Sequence, residues 1–217
     1  MLNYALLLLE GASITVVAAA LSTVLGLLGA LLLLAARTSG SRALVMGCRI
    51  YVSFIRGTPA LVLILFVYYA LPALIGLDLP PLAAGVLALS ANGAAFMSEV
   101  LRGSLARIPE GQWEGARALG LSRSRTWLFV IIPQLFANAL PPLAGEFTML
   151  VKGTALLSVI TLVELTRRGQ QIMVETYRPV ETFLAVAAVY FLICFCVTSL
   201  TRWYEARIRE RQGRRPA

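Results

Sequence analysis

The chain has 217 residues, of which 59% are hydrophobic and only 14% charged, and its mean hydropathy is +0.80. Soluble domains carry about a quarter charged residues, so this composition excludes a water-facing globule, a disordered or collagenous chain and a secreted mini-protein. A net charge of +8, from 19 basic and 11 acidic side chains, would usually point to nucleic acid or anionic lipid; in a chain this apolar it points first to a membrane protein with its arginines gathered on one side.

No ionisable residue lies between Glu10 and Arg37, a gap of 26 residues. The gaps from Arg56 to Asp78, from Asp78 to Glu99 and from Glu181 to Arg202 hold 21, 20 and 20 residues. Each provides the roughly 20 apolar residues that cross a hydrocarbon core of about 30 Å. Spans are therefore expected at 11–36, 57–77, 79–101 and 181–202, behind a periplasmic or interfacial segment 1–10. The first apolar stretch lacks a basic start and is too long for a signal-peptide core, so no cleavable leader is expected.

Residues 126–163 are ambiguous by hydropathy, because Glu146 and Lys152 interrupt the apolar pattern and Pro133, Pro141 and Pro142 break its first half. The arginines decide the matter. Arg37, Arg42, Arg49 and Arg56 fill one loop; Arg102, Arg107, Arg117, Arg123 and Arg125 fill another; Arg202, Arg207, Arg209, Arg211, Arg214 and Arg215 fill the tail. Together they are fifteen of the nineteen basic residues. The positive-inside rule places all three clusters in the cytoplasm, which requires a fifth crossing between the second and the third. That span is expected at 135–162, with the N-terminus outside and the C-terminus inside. The segment 164–181 runs against the rule with Arg167, Arg168 and Arg178, balanced by Glu164, Glu175 and Glu181.

The loop at 103–127 carries folding instructions of its own. Pro109 suits a first helical position and Glu110 the positive end of the helix dipole. Gly120 is a C′ stop, and Ser122 an N-cap for a second helix running towards Pro133. A short helix, a tight turn and a second helix follow. Ala116, Ala118 and the glycines would form a surface small enough for close approach, with Trp113, Leu119 and Leu121 as apolar anchors and Glu110, Glu114 and Arg117 as polar edges. Residue physics leaves two readings open: an amphipathic helix resting on lipid headgroups, or a docking element for a protein partner. A DNA-reading helix-turn-helix does not suit a unit tethered to two spans.

Metal binding has almost no ligands to use, since histidine is absent and Cys48, Cys194 and Cys196 form no C-x-x-C pair. Ala84/Ala88 and Ala91/Ala95 have the four-residue spacing of small residues that permits close helix contact.

At this loop the sequence becomes recognisable. Glu114-Gly115-Ala116, followed by Gly120 and by Ile132-Pro133, resembles the "EAA" signature of bacterial ABC-importer permeases, with Gly115 in place of the usual central alanine. Arg56-Gly57-Thr58-Pro59 resembles the entry to the second span in the polar amino-acid subfamily. Ala95-Phe96, Glu99 and Arg102-Gly103 resemble its third-span ending, with Phe96 where tyrosine is usual. Pro133-Gln134, Lys152-Gly153-Thr154-Ala155-Leu156 and Glu164-Leu165 continue the series in order.

The resemblance implies an all-α integral membrane protein of the type I ABC-importer permease fold: five transmembrane helices with a cytoplasmic coupling helix pair. The permease domain would cover 11–206, followed by a basic tail at 207–217. Glu110, Gly111, Gln112, Glu114, Ala116, Leu119, Gly120 and Leu121 would couple to a cytoplasmic ATPase dimer. A second permease copy or a paralogous permease, and a periplasmic or lipid-anchored amino-acid-binding protein, complete the implied assembly in the bacterial inner membrane. No nucleic-acid partner is implied. The chain has no G-x-x-x-x-G-K-[ST] loop, so ATP and Mg are expected on the partner and no cofactor or catalytic residue on this chain.

Ionisable residues within a span are expensive and usually functional. Asn92, Asn138, Glu146, Lys152, Thr154 and Glu164 are the candidates for a solute path, beside the competing reading that such polar groups only tie helices together. Lys152 would suit a carboxylate and Glu164 an ammonium group near the outer mouth. Glu146 and Lys152 are six apart, so a regular helix does not pair them, and Pro141-Pro142 is the expected site of distortion. Glu99 and Arg102, at i,i+3, read as a structural ion pair.

The pattern, including Glu164-Leu165-Thr166-Arg167 and Gly169-Gln170, looks nearest to glutamine/glutamate-type permeases; arginine, histidine, cystine and opine systems share most of it. An ion-gradient-driven transporter or channel is the rival reading. The absence of histidine, of an inverted repeat and of a sixth span counts against it. No Ser/His, paired-Asp or metal constellation supports an intramembrane enzyme.

Overall fold

The computed structural model describes residues 2–76 and 78–211, and they are helical almost throughout. Arg214 and Arg215 of the expected basic tail lie outside the described residues. In chain order the elements are α1 (Leu2–Thr38), α2 (Arg42–Gly57), α3 (Ala60–Leu65), a π-helical stretch (Phe66–Ala70) and α4 (Leu71–Ile75). There follow α5 (Pro81–Ala106), α6 (Glu110–Ala118), α7 (Arg123–Arg125), a second π-helical stretch (Thr126–Ile131) and α8 (Ile132–Gly153). A 3-10 stretch (Thr154–Ile160), α9 (Leu165–Thr176) and α10 (Pro179–Arg211) complete the chain.

Among the described residues, four segments are long and apolar enough to cross a bilayer: Tyr4–Thr38, Pro81–Ala106, Arg123–Ile160 and Pro179–Tyr204. The fifth crossing is bent. Arg42–Gly57 and Ala60–Ile75 meet at 106°, at the Thr58-Pro59 corner, where proline disfavours a helical residue before it. The segment 42–56, read from sequence as a loop, is thus a helix lying across the direction of the span that follows. Residues 2–10, expected to stand apart from the first span, continue it without a break in α1.

Helix α5 is the centre of the bundle: two-thirds of its apolar window is buried within the chain, against 6% for α10. Helix α1 lies along α5 at glycine-mediated contacts. A Cβ at Gly29 would meet Ala94 Cβ at 2.9 Å, and one at Gly26 would meet the Ser90 carbonyl at 3.3 Å. Ala84, Ala88 and Ala95 of the small-residue pattern are buried, whereas Ala91 is half-buried. Leu89, Met97 and Leu101 of α5 join Ile131, Leu135, Leu157 and Ile160 in the main core. A second cluster, with Leu8, Leu165, Ile172 and Val186, fixes α9 against α1 and α10.

Proline places the irregular turns. Proline has no N–H for the carbonyl four residues back, and its ring crowds that carbonyl. One π-helical stretch ends two residues before Pro72 and the other two residues before Pro133, where widening the turn relieves that crowding. The distortion expected at Pro141-Pro142 is not there: both lie inside a continuous α8. The α-helix gives way instead after Gly153, where the chain tightens into the 3-10 stretch.

Candidate functional site

Local capping chemistry shapes the loop between α5 and α7. Pro109 is the N-cap of α6, one position earlier than expected, and Glu110 opens the helix. At the other end Gly120 takes φ 71°, a left-handed conformation that costs an L-residue energy. The Gly120 N–H donates to the Arg117 carbonyl at 2.9 Å and the Leu121 N–H to the Ala116 carbonyl at 3.0 Å. These are the two closing bonds of a Schellman stop. The Ser122 hydroxyl then accepts from the Arg125 N–H at 3.5 Å, starting the next helix.

The stop leaves α6 with two unlike sides. Glu110, Gly111, Gln112, Glu114 and Gly120 are exposed, and Leu119 is 80% exposed at the tip. Leu121 is half-buried. Ala116 was expected on the outward surface; it is buried, because the residue three earlier, Trp113, turns the same side inwards. The Trp113 ring meets Trp127 edge-on at 5.4 Å between centroids. Gln134 Nε2 donates to Gln112 Oε1 at 3.1 Å and to the Val130 carbonyl at 2.8 Å. The short helix is therefore keyed into the base of the long segment Arg123–Ile160. A cleft of about 460 Å³ beside it is lined by Trp113, Arg117, Leu121, Arg123 and Thr126.

The six polar candidates inside the bundle fall into three groups. Glu146 and Lys152, which their spacing did not pair, both line one cleft of about 700 Å³ between α8 and α10. Thr148 shares its α8 wall, and Thr198, Thr201 and Arg202 form the α10 wall. Asn92 is half-buried on α5. Asn138, half-buried on α8, offers its backbone carbonyl to Arg107 Nη2 at 3.4 Å.

Thr154 and Glu164 are fully buried and already engaged. The Thr154 hydroxyl donates to the Val151 carbonyl at 2.8 Å. Glu164 caps α9, accepting from the Thr166 and Arg167 N–H groups at 2.9 Å each. The Tyr190 hydroxyl donates to the same carboxyl at 2.8 Å. Thr15 Oγ1 lies 3.5 Å from it and accepts the Leu165 N–H at 3.2 Å. The carboxyl thus knots α1, α9 and α10 together. Beside it Glu10 and Arg168 form an ion pair at 2.9 Å.

Glu99 and Arg102 are paired at 2.8 Å, and Arg37 from α1 adds a second bond to the same carboxyl at 2.5 Å. Sequence spacing showed the first partner and not the second, which is 62 positions away. Tyr190, Thr15 and the α10 wall of the cleft were likewise missed. A hydroxyl within an apolar span, as at Thr15 and Tyr190, was the available signal for two of them, and Ser13, Ser22 and Thr23 in the first span gave the same signal.

Residues 22–210 match the model of the family described as binding-protein-dependent transport system inner membrane component. The chain belongs to this family. The permease is 37% identical to the glutamine transport system permease protein GlnP of Escherichia coli K12 over 94% of its own length and 93% of the relative's. It is 36% identical to the L-cystine transport system permease protein TcyB of Bacillus subtilis, covering 87% and 80% of the two chains. With the arginine transport system permease protein ArtQ of the same organism it shares 31%, over 93% and 92%.

Among solved structures, a chain from the crystal structure of an amino acid ABC transporter with histidines superposes with a TM-score of 0.88 at 33% identity, covering 95% of this chain and 96% of the other. A chain of the MetNI methionine ABC transporter shares the fold, with a TM-score of 0.67 at 20% identity. The expected type I importer permease fold is thereby shown, and the permease is a translocation subunit and not an enzyme.

Proposed function

We propose that the permease is the membrane-spanning subunit of an ATP-driven amino-acid importer, with a glutamine- or glutamate-like solute. Its N-terminus lies outside and its α6 side in the cytoplasm, as the arginine distribution requires. Two ATPase subunits, which hold ATP and Mg, sit against α6; a second permease, identical or paralogous, completes the pore, and an amino-acid-binding protein delivers solute outside. The likeness to glutamine, cystine and arginine permeases supports the amino-acid class, and the sequence pattern from Glu164 to Gln170 favours a glutamine- or glutamate-like solute within it.

One observation carries the mechanism: α6 is a rigid, capped knob with an exposed outer side and an inner side keyed to the base of Arg123–Ile160. Closure of the ATPases on ATP draws the two knobs together. Through the Trp113–Trp127 contact and the Gln112–Gln134 bond, that displacement passes into α8, the helix bearing Glu146 and Lys152. The bundle turns outwards and receives solute; hydrolysis resets it. The α8–α10 cleft carries two cations, Lys152 and Arg202, and one carboxylate, Glu146, so it offers partners for both the carboxylate and the ammonium group of an amino acid.

Glu114→Lys tests the coupling. Glu114 is exposed on α6, so the substitution leaves the permease fold intact and reverses the charge presented to the ATPase. Uptake by the complete transporter should collapse, with ATPase activity either lost or no longer stimulated by solute. Normal uptake would overturn the assignment of the loop. Competition of uptake by unlabelled amino acids identifies the solute.

A further inference from the structure

Away from the coupling knob and the α8–α10 cleft, a third cavity of about 420 Å³ opens where the end of α1, helix α2 and the end of α5 meet. Its lining includes four arginines, Arg37, Arg49, Arg56 and Arg102, and a single carboxylate, Glu99. Glu99 binds Arg37 and Arg102 at once, holding two guanidinium groups side by side while cancelling one charge. The Nε of Arg37 is buried and has no hydrogen-bond partner among the described residues. Arg56 stacks over the Phe96 ring at 5.3 Å, which fixes its position at the rim. Like charges gathered this closely repel one another, so the site is complete only with an anion rich in acceptor oxygens.

The surroundings select the kind of anion. Helix α2 meets the following span at 106° and so lies across the bilayer normal. Met46, Ile50 and Phe54 recur every four residues along it and are 55%, 62% and 64% exposed, forming an apolar strip on the helix that carries Arg49 and Arg56. A cationic recess beside an apolar strip, at the end of the spans that bears the arginines, fits an amphiphile with a phosphate head. We propose that this cavity binds the phosphodiester of an anionic phospholipid from the adjoining leaflet, with its acyl chains along the α2 strip. This site is independent of which amino acid the permease carries.

The purified complete transporter, analysed by native mass spectrometry, tests the site with three probes: phosphatidylglycerol, phosphatidylcholine and inorganic phosphate. Phosphatidylglycerol should be retained in preference to phosphatidylcholine. Arg49→Gln should weaken that retention about fivefold, the effect of one basic side chain near a lipid surface. Arg49→Lys should keep most of it, and Arg42→Gln, on the same face of α2 but outside the cavity, should weaken it less than Arg49→Gln does. Equal retention of both lipids, or an Arg49→Gln variant that binds as the native protein does, would overturn the proposal. So would retention of inorganic phosphate without phosphatidylglycerol, or loss of the ATPase subunits from Arg49→Gln with lipid binding unchanged.

Discussion

Replacing Glu164 by alanine separates a structural carboxyl from a solute-binding one. In the structure this side chain caps α9 through two N–H bonds of 2.9 Å and receives the Tyr190 hydroxyl at 2.8 Å, with no exposure to solvent. Losing the cap costs about 1 kcal/mol. The buried donors left behind each cost about 1–3 kcal/mol, although the Tyr190 hydroxyl keeps a neighbour in Thr166 Oγ1 at 3.1 Å. The total comes to about 3 kcal/mol. For a chain of this size that lowers the apparent Tm by about 6–12 °C.

Glu164→Gln should cost roughly half as much, because its amide oxygen still accepts one N–H while its NH2 group faces a second donor. The assay is thermal unfolding of the purified complex, alongside uptake in proteoliposomes. The Gln variant should lower Tm and leave the KM for solute unchanged. Tyr190→Phe should be destabilising alone and add little on the Glu164→Ala background, since both remove one bond. An unchanged Tm with a raised KM would refute the reasoning and make Glu164 a solute contact.

Two further outcomes follow from the packing. Gly11→Ala should destabilise the complex by about 1–3 kcal/mol, because the added Cβ would sit 2.9 Å from the Leu165 Cα, a backbone atom that cannot swing aside; thermal unfolding measures it. Arg37→Gln should cost about 2 kcal/mol more than Arg102→Gln in the same assay. Both contact Glu99, but the Arg37 side chain is 12% exposed and that of Arg102 55%.

Features set by neighbouring residues were legible in the sequence. The Gly120 stop and the Ser122 cap depend on a few consecutive residues and fall where the chain announces them. The four charge gaps fall on α1, on the half of the bent pair after Pro59, on α5 and on α10, because one property, the cost of a charge in hydrocarbon, dominates there. The arginine clusters, not a gap, pointed to the segment between α5 and α10. Reading by gaps concealed α2, since it looks only at uncharged stretches. Arg42, Arg49 and Arg56 recur every seven residues, a spacing that puts them on one helical face, and that was the overlooked signal.

Packing accounts for the other differences. Ala116 faces inwards because Trp113 finds Trp127, a contact no local pattern encodes. The Glu164 knot is tied by hydrogen bonds between residues as many as 150 positions apart. Pro141 and Pro142 mark a break by composition, yet α8 runs through them and yields only after Gly153.

The two wide turns before Pro72 and Pro133 also bear on how this chain can change length. A π-helical turn holds one residue more than an α-helical one. Deleting a residue within Phe66–Ala70 or Thr126–Ile131 lets the segment revert to an α-helix, so the side chains beyond it keep their faces. In the uninterrupted α1 or α10 the same deletion would rotate everything downstream by about 100° and turn core residues towards lipid. The slack for insertion and loss is therefore held in two of the five crossings, next to the prolines that created it.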